Sequence, residues 1–276
     1  ESFGLNWKNN GGDTQTLNLE FNSPYILNSK FSTAGEFSIF KQDSTYITTK
    51  SQLKINYSID RNNIINTTLS DEHSDLSSFP NTTSRVKTFK KNFIGISYTY
   101  KLPSKLQQFT IPKFLINIAY LKGNRIIENS KSNQTKFQLL AEYNYTINEK
   151  KSIYIKTTNE LLDGSNLLQN ELFRIGGTNS IRGFNEQSVF TSKYTVTNLE
   201  YHYNINPTTY IYTITDFALL ADSLTNSTTT LYGVGFGYSF STNYSIVNMS
   251  YVIGKNNQTP FNINNSKVHI KISYPF

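Results

Sequence analysis

The strongest constraint on how this chain can fold is a period-two alternation of apolar and polar residues that recurs from one end to the other. Successive side chains on a β-strand point to opposite faces, so such a pattern sorts each segment into one greasy and one polar face. In one segment Tyr232, Val234, Phe236, Tyr238 and Phe240 share a phase, against Gly233, Gly235, Gly237 and Ser239. Near the C-terminus Val268, Ile270, Ile272, Tyr274 and Phe276 alternate with Lys267, His269, Lys271 and Ser273. Phe137 to Ile147, Leu53 to Ile59 and Ile94 to Tyr100 repeat the theme. No segment of useful length carries the 3.6-residue period of a helix.

Turn-forming clusters such as Asn9-Asn10-Gly11-Gly12-Asp13, Asp60-Arg61-Asn62-Asn63, Asn148-Glu149-Lys150 and Thr242-Asn243 punctuate these runs. The alternation predicts strands near 2–9, 14–23, 31–42, 45–60, 62–72, 85–101, 112–123, 135–148, 150–162, 190–205, 209–221, 229–242, 244–255 and 266–276. A soluble β-sandwich would also alternate, but with a Leu- and Val-rich core. Here the apolar phase is heavy in Tyr and Phe and the opposite phase stays polar. The expectation is an all-β chain: a transmembrane antiparallel up-and-down β-barrel of 14–16 strands, forming a single domain over residues 1–276. Its first and last strands are expected to pair, because an open sheet edge is not tolerated in lipid.

Composition agrees. Mean hydropathy is −0.44 with 37% hydrophobic residues, too polar for membrane helices. A barrel strand, greasy on one face only, gives such an average by construction. The 19 Tyr and 19 Phe suit aromatic girdles at the membrane interfaces. There is no Cys, which removes disulfides and thiolate metal sites. The formal charge of +7 comes from scattered Lys and Arg without a nucleic-acid motif, which fits a solvated basic surface; the functional alternative is binding to anionic lipid headgroups such as lipopolysaccharide, the expected lipid partners. The chain opens on Glu1 with no apolar leader, so a signal peptide is expected to have been removed.

The longest break in the alternation spans about residues 163–189. It contains Arg174-Ile175-Gly176-Gly177-Thr178-Asn179-Ser180-Ile181-Arg182-Gly183-Phe184. A loop that reverses in a crowded lumen needs glycine, and Gly176, Gly177 and Gly183 supply it. An Arg in such a place needs acids. The strand phase beyond the loop places Asn198, Glu200, His202 and Asn204 inward, and the next strand places Asp216 inward. Gly233, Gly235 and Gly237 leave room on one wall, where the returning loop is expected to lie.

This run resembles the GG…(V/I)RG(F/Y) motif of the BamA/TamA and two-partner-secretion transporter superfamily. The resemblance implies a long loop folded into the lumen, five strands after it, and Arg182 meeting Glu200 and Asp216. The second motif of that superfamily is roughly FxDxG; the chain reads Ile214-Thr215-Asp216-Phe217-Ala218, keeping only the Asp. The terminal Tyr274-Pro275-Phe276 resembles the C-terminal recognition signal of outer-membrane barrels, with Tyr274 and Phe276 on the apolar phase.

The resemblance implies a bacterial outer-membrane protein assembly, insertion or secretion factor. Its substrates would be unfolded outer-membrane or secreted polypeptides, and its partners periplasmic POTRA repeats or accessory lipoproteins. The alternative is a membrane anchor or passive pore for a passenger domain. No enzymatic function, cofactor or metal is expected. The three His, at 73, 202 and 269, sit beside no nucleophile or ligand motif. His73 is expected in a solvated loop, Asp71 to Asp75.

Overall fold

The computed structural model describes residues 1–11, 14–24, 26, 29–77, 85–104, 111–222, 224, 227–242 and 244–273. Tyr274 and Phe276 therefore lie outside the described residues. Sixteen strands follow one another: β1 (Ser2–Gly11), β2 (Thr14–Ser23), β3 (Phe31–Gln42), β4 (Tyr46–Ser58), β5 (Asn63–Leu76), β6 (Phe89–Leu102), β7 (Phe114–Ile127), β8 (Ser130–Asn148), β9 (Lys151–Gly164), β10 (Phe173–Ile175), β11 (Val189–Thr191), β12 (Lys193–Asn206), β13 (Thr209–Asp222), β14 (Ser227–Ser241), β15 (Ile246–Asn256) and β16 (Lys267–Ser273). Fourteen form one sheet in sequence order, with β9 followed directly by β12; β10 and β11 make a separate two-stranded ribbon. Among the described residues the fold is thus an up-and-down antiparallel sheet of fourteen strands, of the β-barrel class. Most strands run 10 to 15 residues, long enough for the ~10 that a tilted strand needs to cross a bilayer.

The sheet is inverted relative to a soluble protein. Phe236, Ile94 and Ile96 are 64%, 60% and 59% exposed, while Lys91, Asp216 and Gln134 are 2%, 1% and 1% exposed. In water such a continuous apolar face would drive aggregation; in lipid it is the solvated face. Along β13 the alternation runs almost unbroken, burying Tyr210, Tyr212, Ile214 and Asp216 and exposing Ile211, Thr213 and Thr215.

The chain divides into two compact units. The first comprises Glu1–Thr99, Asn117–Gln138 and Leu161–Leu172; the second comprises Tyr100–Ile116, Leu139–Glu160 and Phe173–Phe276. In the first unit, the β4–β5 turn is closed by Asp60, whose carboxylate accepts from the Asn62 and Asn63 amides at 2.8 and 2.9 Å. Side chains of this type cap turns by mimicking a backbone bend. The same hydrogen bonds, Asn62 foremost, hold the Asp60 carboxyl below its ordinary pKa.

Two elements depart from the sequence reading. The strand expected over 190–205 is two, β11 and β12. Asp71 to Asp75 is not a loop: β5 continues through it to Leu76. Polar composition suggested a turn, but inward partners sustain the strand. Glu72 meets the Lys91 Nζ at 2.9 Å, and the Ser74 Oγ accepts from the Thr48 hydroxyl at 3.0 Å. His73 faces the other way and pairs with Asp75 at 2.7 Å.

Candidate functional site

In the second unit the ribbon β10–β11 pairs Phe173 with Thr191, Arg174 with Phe190 and Ile175 with Val189. Residues 176–188 form its tip. Gly176 and Gly177 have φ of +117° and +91°, a region L side chains avoid. Space is absent as well: a Cβ on Gly177 would strike Glu186, and one on Gly176 would strike the Asn185 carbonyl. The reversal is closed by the Gly177 amide donating to the Ile181 carbonyl at 3.0 Å and the Gly176 amide donating to the Ser180 Oγ at 2.7 Å.

The reversal drives Ile181 into an apolar cluster with Ile175, Val196, Ala218, Leu220 and Leu231, and Ile181 is fully buried. Phe184 and Val189 pack against that cluster. Burying side chains of this kind contributes roughly 1.5–3 kcal/mol each relative to exposure. The loop is therefore held by packing before any charge is counted. Asn198 adds a hydrogen bond to the Ser180 carbonyl at 2.8 Å.

Arg182 follows Ile181 and lies on the inner, polar face of β12 and β13. Its Nε and Nη2 donate to the two oxygens of Asp216 at 2.8 and 2.6 Å, a bidentate fork, and its backbone amide donates to Asp216 at 3.0 Å. Its Nη1 reaches Glu200 at 2.5 Å. The second Glu200 oxygen meets the His202 Nε2 at 2.6 Å. Asp216 is fully buried, and the Arg182 guanidinium is its charge-assisted hydrogen-bond partner. His202 in turn stacks on Tyr210 at 4.7 Å and lies against Tyr154 and Tyr212.

Glycines set how closely the loop approaches the wall. Gly183 has φ +89°, and a Cβ there would strike the backbone of Gly254. A Cβ on Gly254 would strike the Gly183 carbonyl, and one on Gly233 the Arg182 carbonyl. Of the three wall glycines expected to face the loop, only Gly233 does. Gly235 faces the Tyr251–Val252 backbone of β15, and Gly237 makes room for the Tyr212 ring. Gly254 went unrecognised in the sequence, although it sits on the inward phase of β15. So did His269, whose Nε2 accepts from the Gly183 amide at 3.1 Å. Arg174 is half-buried in the ribbon opposite Phe190.

A second anchor, in the first unit, had no counterpart in the sequence reading. Leu167, Leu168 and Leu172 are buried, and between them lies a single 3-10 turn, Gln169–Glu171. Glu171 accepts from the Arg125 Nη1 at 2.6 Å, from the Gln134 Nε2 at 2.8 Å and from the Leu168 amide at 2.8 Å. Arg125 also donates to the carbonyls of Asn166 and Ser165 at 2.9 and 3.0 Å. Asn170 donates to the Ser74 Oγ and to the Lys87 carbonyl, both at 2.9 Å. The available signal was an acid enclosed by leucines. Its basic partner lay past the predicted end of a strand at 123.

The arrangement is chemically a fixed anchor. Among the described residues no group of three or more His, Cys, Asp or Glu side chains is placed to hold a metal ion.

No protein-family model and no curated protein matches the sequence. Solved structures do match in fold. BamA from Haemophilus ducreyi lacking POTRA domains 1–3 superposes with a TM-score of 0.67 and 14% identity, over 98% of this chain and 63% of that one. CdiB from Acinetobacter baumannii gives 0.63 and 14%, over 94% and 50%. The chain thus spans 63% and 50% of the lengths of these two proteins, and shares with them the barrel fold.

Proposed function

We propose that this chain is the outer-membrane barrel of a BamA-like protein assembly and insertion factor, or of a related secretion factor. The observation that carries the reading is the inward loop with Arg182 clasped by Asp216 and Glu200, on a barrel of the fold shared with BamA and CdiB. The loop braces the inner wall of β12, β13 and β15, leaving the outer face to lipid. Substrate strands would add to an exposed sheet edge by β-augmentation, in which backbone hydrogen bonds supply affinity. The end of the sheet suits this. β16 pairs only with Ile246–Val252 of β15, while Ile253–Asn256 of β15 pair with β14 alone among the described residues. Unfolded outer-membrane or secreted polypeptides are the proposed substrates, the bacterial outer membrane the proposed location, and POTRA repeats or accessory lipoproteins the proposed partners. No enzymatic step is invoked.

Reconstitution tests this. Proteoliposomes bearing the protein should accelerate folding of a urea-unfolded outer-membrane barrel, or protect a secreted polypeptide from external protease. Arg182→Ala should reduce whichever activity is present. Empty liposomes performing equally well in both assays would leave the chain an anchor or pore.

A further inference from the structure

The outer face of β1 to β6 in the first unit carries a hollow of about 590 Å³. Register explains it. Phe3 pairs with Phe21, Phe21 with Gly35, Gly35 with Leu53, and Leu53 with Leu69, giving one outward row across five strands. Every position in that row is a large apolar residue except Gly35. In the adjacent row Leu19 pairs with Phe37, Phe37 with Ser51, and Ser51 with Asp71. Two small residues, Gly35 and Ser51, therefore sit inside a frame of Phe21, Phe37, Leu53 and Leu69. A Cβ on Gly35 would meet nothing within 4 Å, and its φ is not in the left-handed region, so neither fold nor backbone requires glycine there.

On the outward phase the hollow's polar lining is Ser51, Asp71 and Asn92, the last two exposed; Glu20, Glu36, Gln52 and Ser70, which also line it, belong to the opposite phase of their strands. Lys90 is also exposed, two residues from Asn92 on the same face of β6. Two strand residues span ~6.6 Å. Asp71 and Lys90 thus stand on neighbouring strands at the polar end of an apolar trough, with the His73–Asp75 pair beyond Asp71 on the same phase of β5. Between apolar tails and apolar side chains there is no hydrophobic driving force within a bilayer, so selectivity must come from shape and from the headgroup. A carboxylate beside an ammonium complements a zwitterion. It does not complement a polyanionic glycolipid, which Asp71 would repel.

We propose that the Gly35 hollow seats an acyl chain of a zwitterionic, amine-bearing phospholipid, with Asp71 facing the headgroup ammonium and Lys90 its phosphate. The inference rests on the membrane-spanning reading of the fold and is independent of any insertion or secretion activity.

The test uses nanodiscs of equimolar phosphatidylethanolamine and phosphatidylglycerol. Lipids retained on the protein after release into mild detergent are counted by native mass spectrometry. The wild type should retain phosphatidylethanolamine over phosphatidylglycerol by about two- to fivefold, the range of one exposed charge pair. Gly35→Leu, which fills the hollow, should lower the total retained. Asp71→Asn should keep the total but bring the ratio to about one. Equal retention by wild type and Gly35→Leu would overturn the seat, and equal retention of both lipids by the wild type would overturn the headgroup assignment. A chain unable to enter nanodiscs in any variant would instead refute the membrane reading itself.

Discussion

At the scale of single residues, the balance around Arg182 decides how the loop behaves. One guanidinium faces two carboxylates, one of them fully buried. Removing Arg182 leaves Asp216 buried without compensation, which costs more than losing the pair's own attraction. Arg182→Ala and Asp216→Ala should each destabilise the barrel by about 3 kcal/mol, with the double variant well short of the sum. Urea unfolding in lipid measures both, and strict additivity would refute the coupling. A different residue-scale prediction concerns Gly183. Alanine there must adopt φ near +89° and push into Gly254, so Gly183→Ala should loosen the loop while Gly35→Ala leaves it unchanged. Proteolysis of folded protein would report the difference. Glu200 and Asp216 were legible as inward residues because strand phase fixes which side chains face inward, and Arg182 as their partner through the resemblance of its run to a known motif. Gly254 and His269 were not: meeting Gly183 depends on strand placement about 70 and 86 residues away, which local pattern does not encode.

At the scale of elements, the alternation located the fourteen strands of the sheet because each strand declares its two faces locally. It failed where composition imitated a turn, in Asp71 to Asp75, since the inward partner Lys91 belongs to another strand. The segment read as one strand over 190–205 is two: the ribbon strand β11 and the wall strand β12, parted at Ser192. Ser192 is buried, and its hydroxyl donates to the Ala221 carbonyl at 3.1 Å, an interaction invisible from sequence. Two predictions belong here. The chain has no Cys, so Ser74→Cys with Asn170→Cys introduces one defined pair where the two side chains are 2.9 Å apart. A short bifunctional thiol reagent should bridge them, and Arg125→Met should slow the reaction by releasing the first leg of the loop. An unchanged rate would mean Arg125 does not hold it. The β4–β5 turn offers a pH test. The Asp60 carboxyl is depressed in the folded state, so its stabilisation is full above the ordinary value of 3.8 and is lost as pH falls through the lowered one. NMR titration of the Asp60 side-chain carbon should give a midpoint below 3.8, rising toward it when Asn63 is replaced by Ala.

At the scale of the whole molecule, the inverted distribution of polarity ties the fold to its solvent. Ile270 is 59% exposed on the outward phase of β16, and Ser273 lies on the opposite phase. Ile270→Arg should cost roughly 2–4 kcal/mol if the residue lies at mid-bilayer, and Ser273→Arg far less. Equal costs in reversible unfolding would invert the assignment of faces. Barrel architecture was readable from sequence because it is written redundantly, strand after strand. The two loop anchors were unequally readable: the Arg182 side carries a recognisable run of residues, whereas the Arg125–Glu171 side is made of ordinary residue types whose meaning arises only from position.

Having an anchor on each leg has a genetic consequence. Glu171 and Arg182 are eleven positions apart, and each is held by its own set of partners. Loss of one leaves the other in place, so damage to either alone should weaken the protein in a living cell without abolishing its function. Random mutagenesis would then recover single lesions of either set as partial defects. Combined lesions, one from each set, should be synthetically defective, and compensating changes should arise within a set and not across the two.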